Sequence, residues 1–305
     1  MSERMPIIID VDTGIDDALA LALAARTPGI DLLAVTTLSG NIDCDLATRN
    51  SLDVMHLLGA GSVPVHRGAT RPLAQAPVFA ADIHGNNGLG GATIPTSPHG
   101  VGPDRGPAAI IRHVLARPGA ITLVCTGPLT NLAIALNVAP EIGRMLKRLV
   151  IMGGAFREPG NVRPWAEFNF WADPEAAAQV FAADLPPTTV IGLDVTHQTI
   201  LSKAAWEEIG AIASPEADLV AKITRRTYVE RGRDRFFLHD PLAFGVAIDA
   251  TLVGCERGAV TIDLDGDERA RSRFTPGAGD VEVAFTVDAP RFLRMFEGAL
   301  GIARG

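Results

Sequence analysis

Between Ile7 and Leu193, short β-branched apolar runs alternate with longer Ala- and Leu-rich stretches, and the length of each run decides its reading. Residues 7–11, 32–37, 121–125, 149–152 and 189–193 read as strands. Residues 15–25, 46–58, 129–137, 141–147 and 174–183 read as helices, the last entered through Pro174, and 110–115 reads as the end of another. Strands separated by helices need right-handed crossovers, so the pattern predicts an α/β fold with a mostly parallel central sheet flanked by helices. Beyond Leu201 the pattern changes to helices at 204–212, 217–231 and 241–248. Two alternating segments follow, 259–264 and 281–287, which can pair as an antiparallel edge hairpin. The stretch 83–106 is rich in Gly, Pro and His and has no periodicity; connections of that length are usually functional or disordered. No linker interrupts the chain, so residues 1–305 are expected to form one domain.

Composition narrows the class. With 47% hydrophobic and 20% charged residues the chain can bury a core, which excludes wholesale disorder. Its apolar runs are broken well before the roughly 18 residues that cross a bilayer. Residues 1–6 lead almost directly into the first strand without a leader-like segment, so a cytoplasmic protein is expected. A net charge of −8 without a Lys/Arg run offers no footprint for nucleic acid or anionic lipid. Cys44, Cys125 and Cys255 are scattered and contain no Cys-x-x-Cys pair, so they read as small core residues. Small-molecule chemistry is what remains.

In an open parallel sheet, ligands bind at the carboxyl ends of the strands, so the residues that follow each strand carry the information. After the first comes Asp10-Val11-Asp12-Thr13-Gly14-Ile15-Asp16-Asp17. Asp16 and Asp17 alone would suit a helix N-terminus. Asp10 and Asp12, however, share one face of a strand, and Gly14 permits a turn that returns Asp16 and Asp17 toward them. Converging carboxylates repel unless a cation lies among them, and oxygen ligands without Cys or His favour calcium or magnesium over zinc, with crowding favouring the larger ion. Dinucleotide, phosphate-loop, zinc-protease and nucleophile-elbow motifs are absent. The three lysines, Lys147, Lys203 and Lys222, lie in expected helices and leave no candidate for a Schiff base.

The aspartate run resembles the N-terminal signature of the calcium-dependent, inosine-uridine preferring nucleoside hydrolases. Further blocks are similar in order and approximate spacing: Asn41, Asp82-Ile83-His84-Gly85, Thr126-Gly127-Pro128-Leu129-Thr130-Asn131, Met152-Gly153-Gly154, Gly160-Asn161, Glu167-Phe168-Asn169, Ala172-Asp173-Pro174 and His239-Asp240-Pro241. Thr13 departs from the Pro that many members carry. The resemblance implies hydrolysis of ribonucleosides to ribose and base, in purine and pyrimidine salvage, by a homodimer or homotetramer. It implies a Ca2+ ion held by Asp12, Asp17, Asp240 and the Thr126 carbonyl, with Asp10 close by. Asp16, Asn41 and Asp240 would then meet the ribose hydroxyls, and Met152, Asn161, Glu167 and Asn169 the 5′ end. Asp12 would be the general base and His239 the acid for the departing base, with His84 as an alternative donor. Tyr228 would relay a proton or pack on the base, and Phe168 lies beside the 5′ residues. Base choice would rest on loops around 83–91 and 224–238. Asn131 can also be read as a helix-start residue, while Asp173 reads as a helix cap, His197 as structural or surface, and Asp194 as structural.

Two other readings share some of these residues. Haloacid-dehalogenase-like phosphatases also place Asp-x-Asp after the first strand, but that pattern wants Thr or Val where Gly14 stands. A calcium-dependent nucleoside-binding module would need the ligand-holding residues without Asp12 and His239 in acid-base roles.

Overall fold

The computed structural model describes residues 4–302, so both extreme ends of the domain expected over 1–305, and the first part of the segment read as lacking a leader, lie outside the described residues. Eleven strands are present among them: β1 Met5–Val11, β2 Ile30–Thr37, β3 Val65–Arg67, β4 Thr122–Cys125, β5 Arg148–Met152, β6 Thr188–Ile191, β7 Ile200–Ser202, β8 Arg235–Phe237, β9 Val253–Ile262, β10 Ser272–Pro276 and β11 Val281–Val287. Nine of them form one sheet in the order β10-β9-β11-β6-β5-β4-β1-β2-β3, while β7 and β8 pair as a separate antiparallel ribbon. Within the large sheet only β9 runs against its neighbours. The mostly parallel α/β sheet expected from the alternation is therefore present.

The edge differs in detail. β9 is longer than expected and is shared: residues 253–258 pair with β11, whereas 258–262 pair with β10. The alternating segment at 259–264 thus meets β10 and not 281–287. β10 reads Ser-Arg-Phe-Thr-Pro, too polar to announce itself as a strand. Strands β3, β7 and β8 have three residues each, shorter than any periodicity can register. The run at 189–193 stops at Ile191, and Leu193 opens the short helix Leu193–Thr196. The C-terminal helix Ala289–Ala299 was also not anticipated.

Alternation along β1 divides its side chains between two cores. Ile7, Ile9 and Val11 enter one apolar cluster and Ile8 enters the other. Helix Ile15–Arg26 follows directly and is buried from Ile15 to Ala24, all around its circumference. It packs against helices Cys44–Leu57, Pro215–Arg225, His239–Ile248 and Ala289–Ala299, which explains an Ala/Leu sequence with no polar face. Cys44 and Cys125 are buried as expected, whereas Cys255 is exposed on β9. Among the described residues no helix is long and apolar enough to cross a membrane.

Because that central helix carries Asp16 and Asp17 in its first turn, its seating sets their position. Leu21 has no exposed surface. Leu21→Ala should lower unfolding stability by about 2–5 kcal/mol, read as a reduced midpoint in urea; a loss under about 1 kcal/mol would show that this helix is loosely packed.

Candidate active site

Carboxyl ends of β1, β2, β4 and β5 meet at one place, and the residues after them converge there. A cavity of about 640 Å³ opens at this edge. Asp16, Asn41, His84, Thr126, Met152, Asn161, Glu167, Phe168, Asn169, His239 and Asp240 all line it. Asp10, Asp12 and Asp17 lie behind the wall and are fully buried.

The carboxylates are held by donors drawn from five separate positions in the chain. Backbone N–H of Asn41 donates to Asp12 Oδ2 at 2.6 Å, and the Asn41 amide donates to Asp12 Oδ1 and Asp17 Oδ2. Gly14 N–H donates to Asp17 Oδ2 at 2.9 Å, and Thr126 Oγ1 donates to Asp17 Oδ1 at the same distance. Such close approach excludes side chains on the glycines. A Cβ at Gly40 would lie 2.0 Å from Asp12 Oδ2, and one at Gly14 would lie 2.4 Å from His84 Nδ1. Asp10 is drawn aside by Thr36 Oγ1 and by Asn131 Nδ2, the latter at 2.7 Å. Asn131 does stand at the start of helix Thr130–Val138, and it also secures this aspartate.

One oxygen from each of Asp16, Asp17 and Asp240 lies within 4.8 Å of the others, a group of buried carboxylates able to hold a metal ion. Of the expected ligands, Asp17 and Asp240 belong to this trio together with Asp16, while Asp12 accepts from Asn41 and Asp10 from Thr36 and Asn131. Burial and mutual repulsion raise the pKa values of these groups. Burial, then the charge of Asp17, pushes Asp16 up to about 7. Asp10 rises to about 7 mainly through burial, against the pull of its Thr36 and Asn131 hydrogen bonds. Asp12 and Asp240 are raised well above the usual carboxylate range, by burial first and neighbouring aspartates second. Asp17 is raised as well, by burial. Asp16 Oδ1 and Asp10 Oδ2 are buried without a hydrogen-bond partner among the described residues.

On the opposite wall, Glu167 caps helix Phe168–Ala172, accepting from the N–H groups of Asn169 and Phe170, and it also accepts from Gly154 N–H. The Asn169 amide donates to the carbonyls of Thr126 and Met152 at 2.6 and 3.1 Å, so this amide ties the ends of β4 and β5 together. Asn161 Oδ1 accepts from Phe168 N–H. His84 Nδ1 accepts from Ile15 N–H at 3.0 Å, which places the ring proton on Nε2. Its 4.0 Å approach to Asp16 is therefore not an ion pair, in keeping with burial and Arg231, which bring His84 down to about 4. His239 Nδ1 is 2.8 Å from Thr196 Oγ1, and burial followed by the charges of His197 and His84 brings it down to about 3.

Tyr228 is a correction. Its side chain is 2% exposed, its hydroxyl donates to the Leu201 carbonyl at 2.6 Å, and its ring stacks on Trp206. It does not line the cavity. The cause is the π-helix Arg226–Glu230 that continues helix Pro215–Arg225 and turns Tyr228 into the core. The same segment, within the 224–238 loop, supplies the lining residues Thr227, Arg231, Arg233, Phe236 and Phe237, and His197 joins them, which sequence alone does not single out. A run of three arginines in five residues, Arg231 to Arg235, was the available signal. Asp173 is a helix cap as read, accepting from Ala176 N–H, and Asp194 holds the N–H groups of Phe156, Arg157 and Glu158.

A parallel sheet that delivers buried carboxylates and amides to one cavity has the form of a small-molecule site. The model of the inosine-uridine preferring nucleoside hydrolase family matches residues 7–294. Uridine nucleosidase 1 of Arabidopsis thaliana is 34% identical over 319 residues, covering 98% of this chain and 94% of its own. The inosine-uridine preferring nucleoside hydrolase of Leishmania major is 37% identical over 269 residues, covering 85% and 84%. A solved purine-preferring ribonucleoside hydrolase from Gardnerella vaginalis superposes with a TM-score of 0.90 at 34% identity, covering 98% of this chain and 100% of that one. The chain belongs to the inosine-uridine preferring nucleoside hydrolase family and is a glycosidase, which displaces both the phosphatase and the binding-module readings.

Raised carboxyl pKa values carry a sign for stability. A carboxyl whose folded value lies near 7 and whose unfolded value is 3.8 binds more protons when folded, so folding is favoured below about 4 and that contribution is lost as pH climbs to about 7. Metal-free protein should therefore melt lower at pH 7.5 than at pH 5, by several degrees or more, and an added divalent cation that fills the carboxylate group should reverse the loss at pH 7.5. A melting temperature that rises with pH in chelator, or ignores the added cation, contradicts the assignment of these groups.

Proposed function

We propose that the chain hydrolyses the N-glycosidic bond of ribonucleosides, using Asp12 as general base and His239 as the proton donor to the departing base. What carries this reading is the convergence of Asp16, Asn41 and Asp240 with Asn161, Glu167 and Asn169 on one cavity. One group can grip two vicinal hydroxyls and the other a primary hydroxyl, which are the two polar ends of a ribose.

A hard divalent cation fits the donor set. The site offers oxygen ligands only, carboxylates that feel chiefly one another's charge, and a buried Asp16 Oδ1 that lacks a hydrogen-bond partner among the described residues. Asp16, Asp17 and Asp240 would hold it, with Asp12 and the Thr126 carbonyl beside them, and the crowding of carboxylates favours calcium. When bound, such an ion lowers the pKa of a water and aligns vicinal hydroxyls.

The chain's own groups account for the rest. Asp12 is fixed through both oxygens by Asn41, so its carboxylate is oriented before substrate arrives. It takes the proton of the attacking water as the water oxygen bonds to C1′. The C1′–N bond breaks through an oxocarbenium-like sugar, its electron pair passing to the base. Negative charge at Asp16 and Asp240 stabilises that sugar. Glu167 and Asn169 are already locked by backbone contacts, so binding energy at the 5′ end can be spent on the ring distortion of the transition state. His239 has one ring nitrogen facing Thr196 and the other left for the base. Burial lowers its pKa in the free site, so its role as acid requires that it take up a proton as the nucleoside and its departing base enter.

Ribose release from inosine and uridine is the direct assay. Exhaustive chelation should abolish it and Ca2+ should restore it, while Asp12→Asn should lower turnover by roughly 10²–10⁴-fold because an amide accepts no proton. Near-normal turnover of that variant would place the base elsewhere.

Sugar recognition has its own readout. Asp16, Asn41 and Asp240 are buried and expect hydroxyl partners, so inosine should exceed 2′-deoxyinosine in kcat/KM by up to roughly 10⁴-fold. Comparable values for the two would remove these residues from the ribose.

A further inference from the structure

One buried carboxylate at the same sheet edge takes no part in the reaction derived above. Asp194 follows β6 in the short helix Leu193–Thr196, is 6% exposed and does not line the cavity. Both of its oxygens are engaged by backbone. Oδ2 accepts from Phe156 N–H at 3.0 Å, and Oδ1 accepts from the N–H groups of Arg157 and Glu158 at 2.7 and 3.2 Å. The Arg157 guanidinium is paired with Glu256, so it is the main chain of this residue that Asp194 holds. Three successive N–H groups aimed at one carboxylate form a nest, a charge-assisted arrangement that fixes the conformation of the chain supplying them.

The segment held in this way is the base of the loop that carries residues assigned above to the 5′ end of the sugar. From Gly154 to Glu158 every residue is tied to another element. Gly154 N–H donates to Glu167 Oε2, and the Gly154 carbonyl accepts from Leu193 N–H, each at 2.9 Å. Ala155 exchanges two hydrogen bonds with the hydroxyl of Ser272, a buried residue of β10, at 2.9 and 3.0 Å. Phe156, Arg157 and Glu158 belong to Asp194. The helix sits close against this segment, for a Cβ at Gly192 would lie 2.9 Å from the Gly154 carbonyl oxygen. Beyond it the loop tip is closed on itself, Gly160 N–H donating to the Pro164 carbonyl and Val162 N–H to the Ala166 carbonyl at 3.1 and 3.2 Å. A tip bonded to itself moves as one piece, so the placing of Asn161 against Glu167 depends on the base of the loop, and the base is held by Asp194.

We propose that Asp194 is a positioning residue for the reaction: it holds the loop that presents Asn161 and Glu167 to the 5′-hydroxyl, and so contributes to turnover only when the substrate carries that hydroxyl. The inference rests on the ribonucleoside reading above and on its assignment of the 5′ end. Asp194 touches no substrate atom. Its effect lies in the accuracy with which Asn161 and Glu167 meet the hydroxyl, and a misplacement of about 1 Å in such groups costs roughly 10²-fold. Asn161 depends on that support because it is exposed, with its Oδ1 already accepting from Phe168 N–H, so the amide N–H groups are what it can offer a hydroxyl. A hydroxyl gripped loosely returns less binding energy to ring distortion, so the loss falls on kcat more than on KM.

The test crosses the residue with the hydroxyl. The full chain, supplied with Ca2+, is assayed on inosine and on 5′-deoxyinosine, which differ only in the 5′ oxygen. Wild type should favour inosine by roughly 10²-fold or more in kcat/KM. Asp194→Asn keeps the size of the side chain and sets an amide NH2 against N–H donors. It should lower kcat/KM for inosine by roughly 10–100-fold, mostly in kcat, and for 5′-deoxyinosine by less than about threefold. Ser272→Ala releases Ala155 at the same loop base and should give the same pattern with a smaller loss; it decides the question if Asp194→Asn does not fold. Equal losses on both substrates, or none on either, overturn the inference; equal losses would put the effect on the fold or on Thr196, which stands in the same helix beside His239. Wild type with equal kcat/KM on the two substrates overturns the 5′ assignment and this inference together, while the hydrolase reading stands. Wild type that releases sugar from neither overturns the hydrolase reading as well.

Discussion

Asp10, Asp12, Asp16, Asp17 and Asp240 are packed beside one another at the carboxyl edge of a parallel sheet, and much of the local architecture is arranged to tolerate that concentration of negative charge. Each carboxylate taken from water into an apolar interior is costly unless donors or a cation replace the lost solvation. Donors come from widely separated parts of the chain: Gly14, Thr36, Asn41, Thr126 and Asn131. Assembling them requires the parallel topology, because only there do the ends of β1, β2 and β4 lie side by side. Glycines at 14 and 40 follow from the same constraint, since a methyl group at either position would occupy the space of a functional side chain.

The part of the fold that was legible in the sequence is the part whose local pattern agrees with its tertiary role. Buried parallel strands and a fully buried helix write continuous apolar runs, and the aspartates that interrupt them stand out for that reason. What was not legible falls into two kinds. Three-residue strands such as β3, β7 and β8 form because neighbouring chain offers unpaired groups, not because their own residues demand it. The split pairing of β9 likewise depends on where β10 returns, a matter decided by the connection between them.

Within the site the same division holds. Sugar-side residues sit at strand ends and helix starts, and motif and topology agreed on where they would gather. Asp10 and Asp12 do share the face that spacing required, yet they part company because Asn131 and Thr36 capture one and Asn41 the other. Spacing cannot reveal which donor wins, since the donors arrive from residues 26 to 121 positions away.

Tyr228 shows the limit most clearly. As the only tyrosine in the chain, it stood near the histidine-aspartate pair and suggested contact with a ligand. The π-helix at Arg226–Glu230 puts an extra residue in the turn that carries Tyr228, an irregularity that helical spacing does not register. Tyr228 then packs on Trp206 and bonds to the Leu201 carbonyl, while Thr227 and Arg231 on either side reach the cavity. Since Leu201 belongs to β7, which pairs with β8, this one phenol ties the π-helix to the ribbon leading into His239 and Asp240. The residue that looked like a ligand contact is thus a buried anchor, fixing the π-helix against the ribbon and Trp206 beside the cavity.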